Sequence, residues 1–295
     1  MSAYKTAAAF REALKARLRA LAKDGPWEPQ QLQRQLAYDR LLERLYLADG
    51  GWIVKGAVAL LARDIGVRAS LDVDVYRATT TDAAESDLRT AAGRDLGDWF
   101  RFDVGPRRSV ADGAAGLRLP VVAHVGATQW ARFHVDLVGS DLRMTGEPED
   151  VPALALVGMA DIEQGGYRAY PLVDHVADKV AATIERHGAG GMPSTRFRDL
   201  VDLVAIARGA SVDAVAQMTA LTSEARRRGL VLPGRFDVPD RQLWDEGYRA
   251  EAGRSLLPVA RDLDGALAVV RPFLDPALDG SAAGTWDRAI GAWVC

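Results

Sequence analysis

The spacing of apolar residues along the chain changes from a helical period to a strand period and then back. Apolar residues recur three and four positions apart near the start, and they predict helices over residues 3–23 and 28–48. Short alternating or continuously apolar stretches follow, separated by turns such as Ala111-Asp112-Gly113. These stretches predict strands over 52–54, 70–76, 99–104, 117–125 and 130–138, with helices over 57–63 and 82–92.

From Val173 onward the pattern is almost wholly helical. Five helices are predicted there, over 173–187, 195–207, 212–228, 240–257 and 262–273. The length of 295 residues is enough for two domains. We therefore predict an α+β protein, in which residues 1–150 form a core on a small mixed sheet and residues 151–295 form a mainly helical domain.

Composition narrows the compartment and the partners. Cys295 is the only cysteine, which excludes an intrachain disulfide and a cysteine-based zinc site. The sequence has no apolar run close to the roughly 18 residues of a membrane span, and its start lacks the apolar core of a secretory signal. A cytoplasmic protein without a membrane partner is expected.

The formal net charge of −3 is unlike that of a protein that coats nucleic acid. Contact with RNA would therefore depend on local basic segments. The candidates are residues 11–19, Arg107–Arg108 and Arg226–Arg228, although each of these is more simply a solvated helix face or loop.

Two carboxylates share one face of the predicted strand over residues 70–76. Side chains alternate along a strand, so Asp72 and Asp74 point to one side, while Leu71, Val73 and Val75 point to the core. Neighbouring carboxylates repel each other unless a cation offsets them, and hard divalent cations prefer oxygen ligands. The pattern indicates a metal site, although two solvent-facing aspartates would also explain it.

A third carboxylate lies on the polar side of the strand over residues 130–138. If this strand pairs with the one over 70–76, Asp136 would lie beside Asp72 and Asp74. Three carboxylates could then hold two metal ions about 3.5–4 Å apart.

Lys55-Gly56 ends a buried strand and leads into a helix. A glycine at such a turn lets backbone N–H groups approach a phosphate, with the helix N-terminus adding a favourable dipole. A purely conformational glycine is the simpler alternative.

The predicted helix over 173–187 carries two cations. Lys179 and Arg186 are seven residues apart, so both would lie on one side of the helix and could hold a triphosphate. The more common fate of such a lysine is solvation beside Asp178 and Glu185.

The next predicted helix has Ser194 or Thr195 as its candidate N-cap. Arg196 precedes Asp199 by three residues, and Arg198 precedes Asp202 by four. Ion pairs on the helix surface would explain both spacings.

The order of these motifs resembles that of the AbiEii-type nucleotidyltransferases. These proteins are the toxin halves of bacterial abortive-infection and toxin–antitoxin pairs, and they include the MenT-type mycobacterial enzymes. The resemblance covers roughly residues 50–208. Its motifs are Lys55-Gly56, S-x-D-x-D at 70–74, the strand aspartate at 136, A-x-K-x-x-A-x-x-x-R at 177–186 and R-x-R-D-L-x-D-L at 196–203.

The resemblance implies a polymerase-β-like nucleotidyltransferase core followed by a helical domain that closes the active site between them. It implies that Asp72 and Asp74 are catalytic ligands of Mg²⁺, with Asp136 as the third carboxylate. Lys179 would contact the nucleotide phosphates, and Asp199 would be an essential polar residue. The residues expected to bind the nucleotide are Lys55, Gly56, Ser70, Lys179, Arg186 and Arg196.

Two positions need comment against the family pattern. Ser70 occupies the place of a serine that some antitoxins cause to be phosphorylated. After the lysine, the family usually has Gly-Gly or Gly-Ser followed by Ser or Thr, whereas this chain has Gly56-Ala57-Val58. A hydroxyl expected at the β- and γ-phosphates is therefore missing.

The expected function is transfer of a nucleoside monophosphate from an NTP to RNA, at the 3′ end of tRNA, which would block translation. A cognate antitoxin is an expected partner. Two alternatives stay open: the acceptor could be a small molecule or a protein hydroxyl, or the chain could be a catalytically silent nucleotide-binding module. The departure at Gly56-Ala57-Val58 is the best support for the silent module.

Overall fold

The chain folds into two compact units. The computed structural model describes residues 4–109, 116–140, 143–154, 156–159, 162–188 and 190–295, so the predicted turn at 111–113 lies outside the described residues. The first unit, called the sheet unit, comprises residues 1–63, 69–143 and 149–169. The second, called the helical unit, comprises residues 64–68, 144–148 and 170–295. The last passage from the sheet unit to the helical unit lies between Ala169 and Tyr170, later than the expected boundary at residue 150.

The sheet unit contains four helices and eight strands in its described part. The helices are α1 (Ala7–Asp24), α2 (Pro29–Ala48), α3 (Gly56–Ala62) and α4 (Thr81–Ala92). The strands are β1 (Trp52–Lys55), β2 (Asp72–Arg77), β3 (Phe100–Val104), β4 (Arg108–Ser109), β5 (Leu117–Val125), β6 (Thr128–Val138), β7 (Glu149–Val151) and β8 (Tyr167–Ala169). The predicted elements are present within a few residues, and the α+β architecture is confirmed.

The strands form one mixed sheet. Its order is β3-β5-β6-β2-β1-β8-β7, with β4 also pairing with β5. Only the β2–β6 and β1–β8 pairs are parallel. The short strands β7 and β8 escape prediction because three residues carry too little alternation to be recognised.

One face of the sheet is buried under helices of the same unit. Val73 on β2 and Val135 on β6 belong to one apolar cluster with Leu36 of α2 and Leu88 of α4. Alternation along the strands therefore directs the intervening polar residues to the opposite face. Leu71 is an exception to the predicted core, because it precedes β2 and half of its surface is exposed.

A buried ion pair joins α2 to the loop before β3. Arg44 donates to both carboxylate oxygens of Asp98 at 2.7 and 3.0 Å, and Arg40 donates to the same carboxylate at 2.7 Å. All three side chains are almost fully buried. Burial raises the pKa of Asp98, but hydrogen bonds and charge from Arg44 and Arg40 outweigh it and lower that pKa.

The helical unit is built on five helices. They are α5 (Leu172–Ile184), α6 (Phe197–Gly209), α7 (Ala214–Arg228), α8 (Arg241–Gly253) and α9 (Leu263–Asp279). Two short strand pairs accompany them, β9 (Arg186–His187) with β10 (Met192–Pro193) and β11 (Thr285–Asp287) with β12 (Ala292–Val294). Trp286 of β11 packs against Phe273 of α9 with a ring separation of 5.0 Å.

Three helix ends differ from the prediction. Helix α8, predicted to end at Leu257, ends at Gly253. The helix predicted over 173–187 ends at Ile184, because Arg186 and His187 pair with β10 instead. Helix α9 was predicted to end at Phe273, but it continues through Pro276 to Asp279. Leu274 and Ala277 are buried, so packing of that face outweighs the hydrogen bonds that proline removes.

No helix in the described ranges is long and apolar enough to cross a membrane.

Replacing Asp98 with alanine should lower the free energy of unfolding by about 3–5 kcal/mol, because it leaves two buried arginines without their anion. Urea unfolding would measure the change. The matched control is Asp245→Ala, which breaks an exposed pair with Arg249 and should cost less than about 1 kcal/mol. Equal losses in the two variants would contradict a stabilising role for the Asp98 network.

Candidate active site

Three aspartates lie together on the open face of the sheet. β2 and β6 run parallel in a register that sets Asp74 opposite Asp136 and Asp72 opposite His134. The predicted proximity of Asp136 to Asp72 and Asp74 is therefore confirmed. We call these three carboxylates the acidic face.

Asp74 lies against the backbone of Gly56. A Cβ added to Gly56 would be 2.0 Å from Asp74 Oδ2, far inside any real contact distance. Gly56 also has a φ of +62°, which favours glycine. Both facts explain why glycine follows Lys55: its lack of a side chain makes room for a carboxylate of the acidic face.

Arg118 on β5 joins two members of the acidic face. Its Nε and Nη2 donate to the two oxygens of Asp136 at 2.7 and 2.6 Å, and Nη2 lies 3.7 Å from Asp72 Oδ2. The hydrogen bonds that Arg118 donates to Asp136 raise the pKa of Arg118; partial burial opposes this, and the charges of Asp136, Asp72 and Asp74 add to it. Arg118 has no signal in the local sequence pattern, because its partner lies 18 residues along the chain on the next strand.

The acidic face fits a divalent cation in part. Asp72 and Asp74 offer hard oxygen ligands on one side of one strand, which suits Mg²⁺. Both oxygens of Asp136 are already bonded to Arg118. Within the described residues, no group of three or more acidic, histidine or cysteine side chains is arranged to hold a metal ion. The geometry thus matches a pair of carboxylate ligands better than the expected set of three.

Two further predicted residues lie next to the acidic face. The hydroxyl of Ser70 is directed at Asp72, donating to its carbonyl oxygen at 2.6 Å and lying 3.5 Å from Oδ1. Ser70 is almost fully buried. Lys55 pairs with Asp74 across β1 and β2 and precedes α3. Ser70 therefore adjoins Asp72 through its side chain, and Lys55 adjoins Asp74 through the pairing of β1 with β2.

A second group of charges lies within the helical unit. Lys179 on α5 donates to Asp199 at 3.1 Å and to Asp202 at 2.7 Å, both on α6. The lysine side chain is only 9% exposed. It is therefore buried in ion pairs, and the alternative of a solvated lysine beside Asp178 and Glu185 is wrong.

Two arginines extend this group at either end. Arg68 donates to both oxygens of Asp202 at 2.8 and 2.7 Å, and Arg196 donates to Asp199 at 2.8 Å. We call Arg68, Lys179, Arg196, Asp199 and Asp202 the charge cluster. The expected pair between Arg196 and Asp199 is present, with Asp199 buried rather than on the helix surface, but the pair expected between Arg198 and Asp202 is wrong. Arg198 instead pairs with Glu251.

Within the charge cluster, Lys179 and Asp199 keep their charges at neutral pH. Burial lowers the pKa of Lys179, but Asp202 and Asp199 outweigh it and raise that pKa above its usual value. Burial raises the pKa of Asp199, but Lys179 and Arg196 outweigh it and lower that pKa. Lys179 is therefore a hydrogen-bond donor and not a proton acceptor near pH 7.

Arg186 does not share a helix side with Lys179. It lies on β9, beyond the end of α5, and donates to the carbonyl oxygens of Gly191 and Pro239 at 3.0 and 2.6 Å. The prediction that the seven-residue spacing sets both cations on one side of a helix is therefore wrong. The predicted cap of α6 is wrong as well: Arg196 is the N-cap residue, and Ser194 Oγ instead donates to Ala182 O at 2.6 Å.

The basic segments are partly neutralised by internal ion pairs. Arg107 forms ion pairs with Asp82 and Glu85, which both belong to α4. Arg227 and Arg228 both pair with Glu224 of the same helix. The positive charge available for an acceptor is smaller than the sequence suggests.

Comparison with known families gives one match that covers most of the chain. The profile described as "Nucleotidyl transferase AbiEii toxin, Type IV TA system" matches residues 40–269, which is most of the chain. The search of curated proteins found no match to the chain.

Among solved structures, the chain is similar to MenT4, a nucleotidyltransferase toxin of Mycobacterium tuberculosis H37Rv. The TM-score is 0.52 at 16% identity, covering 87% of this chain and 99% of MenT4. It is also similar to JHP933 from Helicobacter pylori, with a TM-score of 0.48 at 15% identity, covering 84% of this chain and 94% of that one. The likeness to MenT4 shows a shared fold.

Replacing Gly56 with alanine should displace Asp74 by about 1 Å or more and lower nucleotidyl transfer by about 100-fold. The reason is steric, because Cβ and Asp74 Oδ2 would occupy the same space. Transfer from labelled NTP measures the effect, with circular dichroism to check folding.

Gly97→Ala is the matched control for the Gly56 variant. Gly97 has a φ of +69°, similar backbone strain and the same unit, but a Cβ there meets nothing within 4 Å. It should keep nearly full transfer. If both variants lost transfer equally, backbone strain rather than the approach to Asp74 would explain the loss.

Replacing Lys179 with methionine should lower the free energy of unfolding by about 3–5 kcal/mol, because Asp199 and Asp202 lose their shared buried cation. Urea unfolding of the whole chain measures this. Lys15→Met, which breaks an exposed pair with Glu12, is the control and should change stability by less than about 1 kcal/mol. A Lys179 variant as stable as the control would refute a structural role for the cluster.

Proposed function

The chain belongs to the AbiEii family of nucleotidyltransferase toxins of type IV toxin–antitoxin systems, and from that premise we propose that it transfers a nucleoside monophosphate from an NTP to the 3′ end of tRNA. Such a transfer would block aminoacylation and arrest translation in the cytoplasm. An antitoxin partner follows from the family. The sheet unit would be the nucleotidyltransferase core, and the helical unit the second domain.

The observation that carries the proposal is the pair of carboxylates on β2. Asp72 and Asp74 share the open face of the sheet, and Gly56 holds space for the second of them. A bound Mg²⁺ would supply the positive charge that offsets the negative charge of the triphosphate and of the acceptor oxygen. Asp72 and Asp74 would orient the reacting groups, so positioning and charge provide the catalysis rather than a covalent intermediate.

In this proposal, Lys179 of the charge cluster donates a hydrogen bond to the nucleotide. Lys179 has three N–H donors, of which two are directed at Asp202 and Asp199. The role carried over from the family, contact with a nucleotide phosphate, would use the third. Asp199 would then act by holding Lys179 and Arg196 in place.

A second candidate keeps the chemistry and changes the acceptor to a small molecule or a protein hydroxyl. The internal pairing of Arg107, Arg227 and Arg228 favours it, since an RNA acceptor needs uncommitted positive charge for its phosphates. The acceptor is therefore the point that the experiment must settle.

The test incubates the protein with Mg²⁺, total tRNA and each of the four α-labelled NTPs in turn, followed by a denaturing gel. Label should enter tRNA with one or two of the nucleotides. Asp72→Ala and Asp74→Ala should each abolish it, because either change removes a predicted metal ligand. Incubation with EDTA should do the same.

Asp103→Ala is the matched control, because Asp103 is an exposed aspartate on β3 of the same sheet whose partner is His124. It should label tRNA like the unaltered protein. Retained transfer in a folded Asp72→Ala protein would overturn the assignment of the site. Release of pyrophosphate with another acceptor, and none with tRNA, would replace the first candidate with the second.

A further inference from the structure

Arg118 and Asp136 form a fork-to-fork ion pair inside the acidic face. The register of β5 and β6 sets the two residues directly opposite each other. Two parallel hydrogen bonds of 2.7 and 2.6 Å join Nε and Nη2 to the two carboxylate oxygens. This bidentate geometry fixes the plane of the guanidinium as well as its position.

The pair changes which carboxylates are available to a cation. A metal ion at Asp136 would have to share carboxylate oxygens that already accept two short hydrogen bonds, and it would lie against the positive guanidinium, which repels it. Asp72 Oδ2 lies 3.7 Å from Nη2 of Arg118, beyond hydrogen-bond distance, so Arg118 occupies neither oxygen of Asp72.

The guanidinium has donors to spare. Arginine carries five N–H groups, and the pair with Asp136 uses two of them. Among the described residues, Nη1 makes no hydrogen bond, and 39% of the side chain is exposed. Arg118 therefore presents N–H donors on the face that carries Asp72 and Asp74, where a triphosphate would bring negative charge.

We propose that Arg118 binds a phosphate of the NTP and that Asp136 is its positioning residue rather than a third metal ligand. The proposal rests on the function proposed above for Asp72 and Asp74. The ligand class is a nucleoside triphosphate, since phosphate oxygens match the planar donor edge of arginine. Asp136 acts through Arg118: it holds the guanidinium plane and keeps it beside Asp72.

The first measurement separates metal binding from nucleotide binding. Mn²⁺ is titrated into the protein without nucleotide and followed by electron paramagnetic resonance. Asp136→Asn should bind Mn²⁺ within about twofold of the unaltered protein, whereas Asp72→Asn should bind it at least about tenfold more weakly. A loss in Asp136→Asn as large as that in Asp72→Asn would overturn the proposal, because Asp136 would then be a ligand.

The second measurement is NTP affinity by calorimetry, with Mg²⁺ and without an acceptor, for each of the four NTPs. Arg118→Ala should weaken binding by about 10- to 100-fold, the range for loss of a charged hydrogen bond. Asp136→Asn should also weaken NTP binding. The double variant should bind NTP no more weakly than Arg118→Ala does, because both changes disrupt the same Arg118–Asp136 pair. Arg118→Lys should be intermediate, since it keeps the charge and loses the fork.

Arg132→Ala is the matched control. Arg132 lies on β6 with its side chain on the same face, and its hydrogen-bond partner is Gln129. It should bind NTP like the unaltered protein. Unchanged NTP affinity in Arg118→Ala, or effects of Arg118→Ala and Asp136→Asn that multiply, would overturn the proposal.

A purely structural role is distinguished by thermal unfolding. A fork that only joined β5 to β6 would lower the Tm of Arg118→Ala while leaving NTP affinity intact, and that result too would overturn the proposal. Both binding measurements need no turnover, so they decide the role of Arg118 even if tRNA is not the acceptor. Failure of every NTP to bind the unaltered protein would end this inference and the proposed function together.

Discussion

The parallel pairing of β2 with β6 is the constraint on which the acidic face depends. Its register determines at once which side chains enter the core and which carboxylates meet. Val73 and Val135 are fully buried, so a slip of one residue would place aspartates under α2 and α4. The apolar packing of one face therefore fixes the geometry of Asp72, Asp74 and Asp136 on the other. Stability and site geometry have the same cause here.

Carboxylates in both units are held close to cations from elsewhere in the sequence. On the acidic face, Arg118 donates two hydrogen bonds to Asp136 and lies 3.7 Å from Asp72. In the charge cluster, the order Arg196–Asp199–Lys179–Asp202–Arg68 alternates in sign along a connected chain of bonds. Desolvation penalises each buried charge, and the opposite charges on both sides offset that penalty.

Local patterns predicted the elements, and pairing between distant segments decided the partners. The two-residue period gives the shared face of Asp72 and Asp74, and it places Asp136 on a comparable strand. Arg68 and Asp202 are 134 residues apart, so helical spacing pointed to Arg198 instead, and only the tertiary fold reveals the true partner. Short strands such as β8, and the end of α5 at Ile184, depend on the same kind of contact, with Arg186 drawn into a pair with β10. Local patterns in the sequence do not identify partners that lie far apart along the chain.

The structure gives a reason for the departure from the family pattern at Gly56-Ala57-Val58. The family usually places a hydroxyl residue after the glycines, yet Ala57 and Val58 are buried here and Val58 belongs to the core cluster. Ala57 and Val58 thus pack α3 against the sheet, and the missing side chain of Gly56 leaves space for Asp74. A triphosphate at this site would then need donors from other residues. Arg118 stands on the same face with donors available, which makes the missing hydroxyl compatible with an active enzyme.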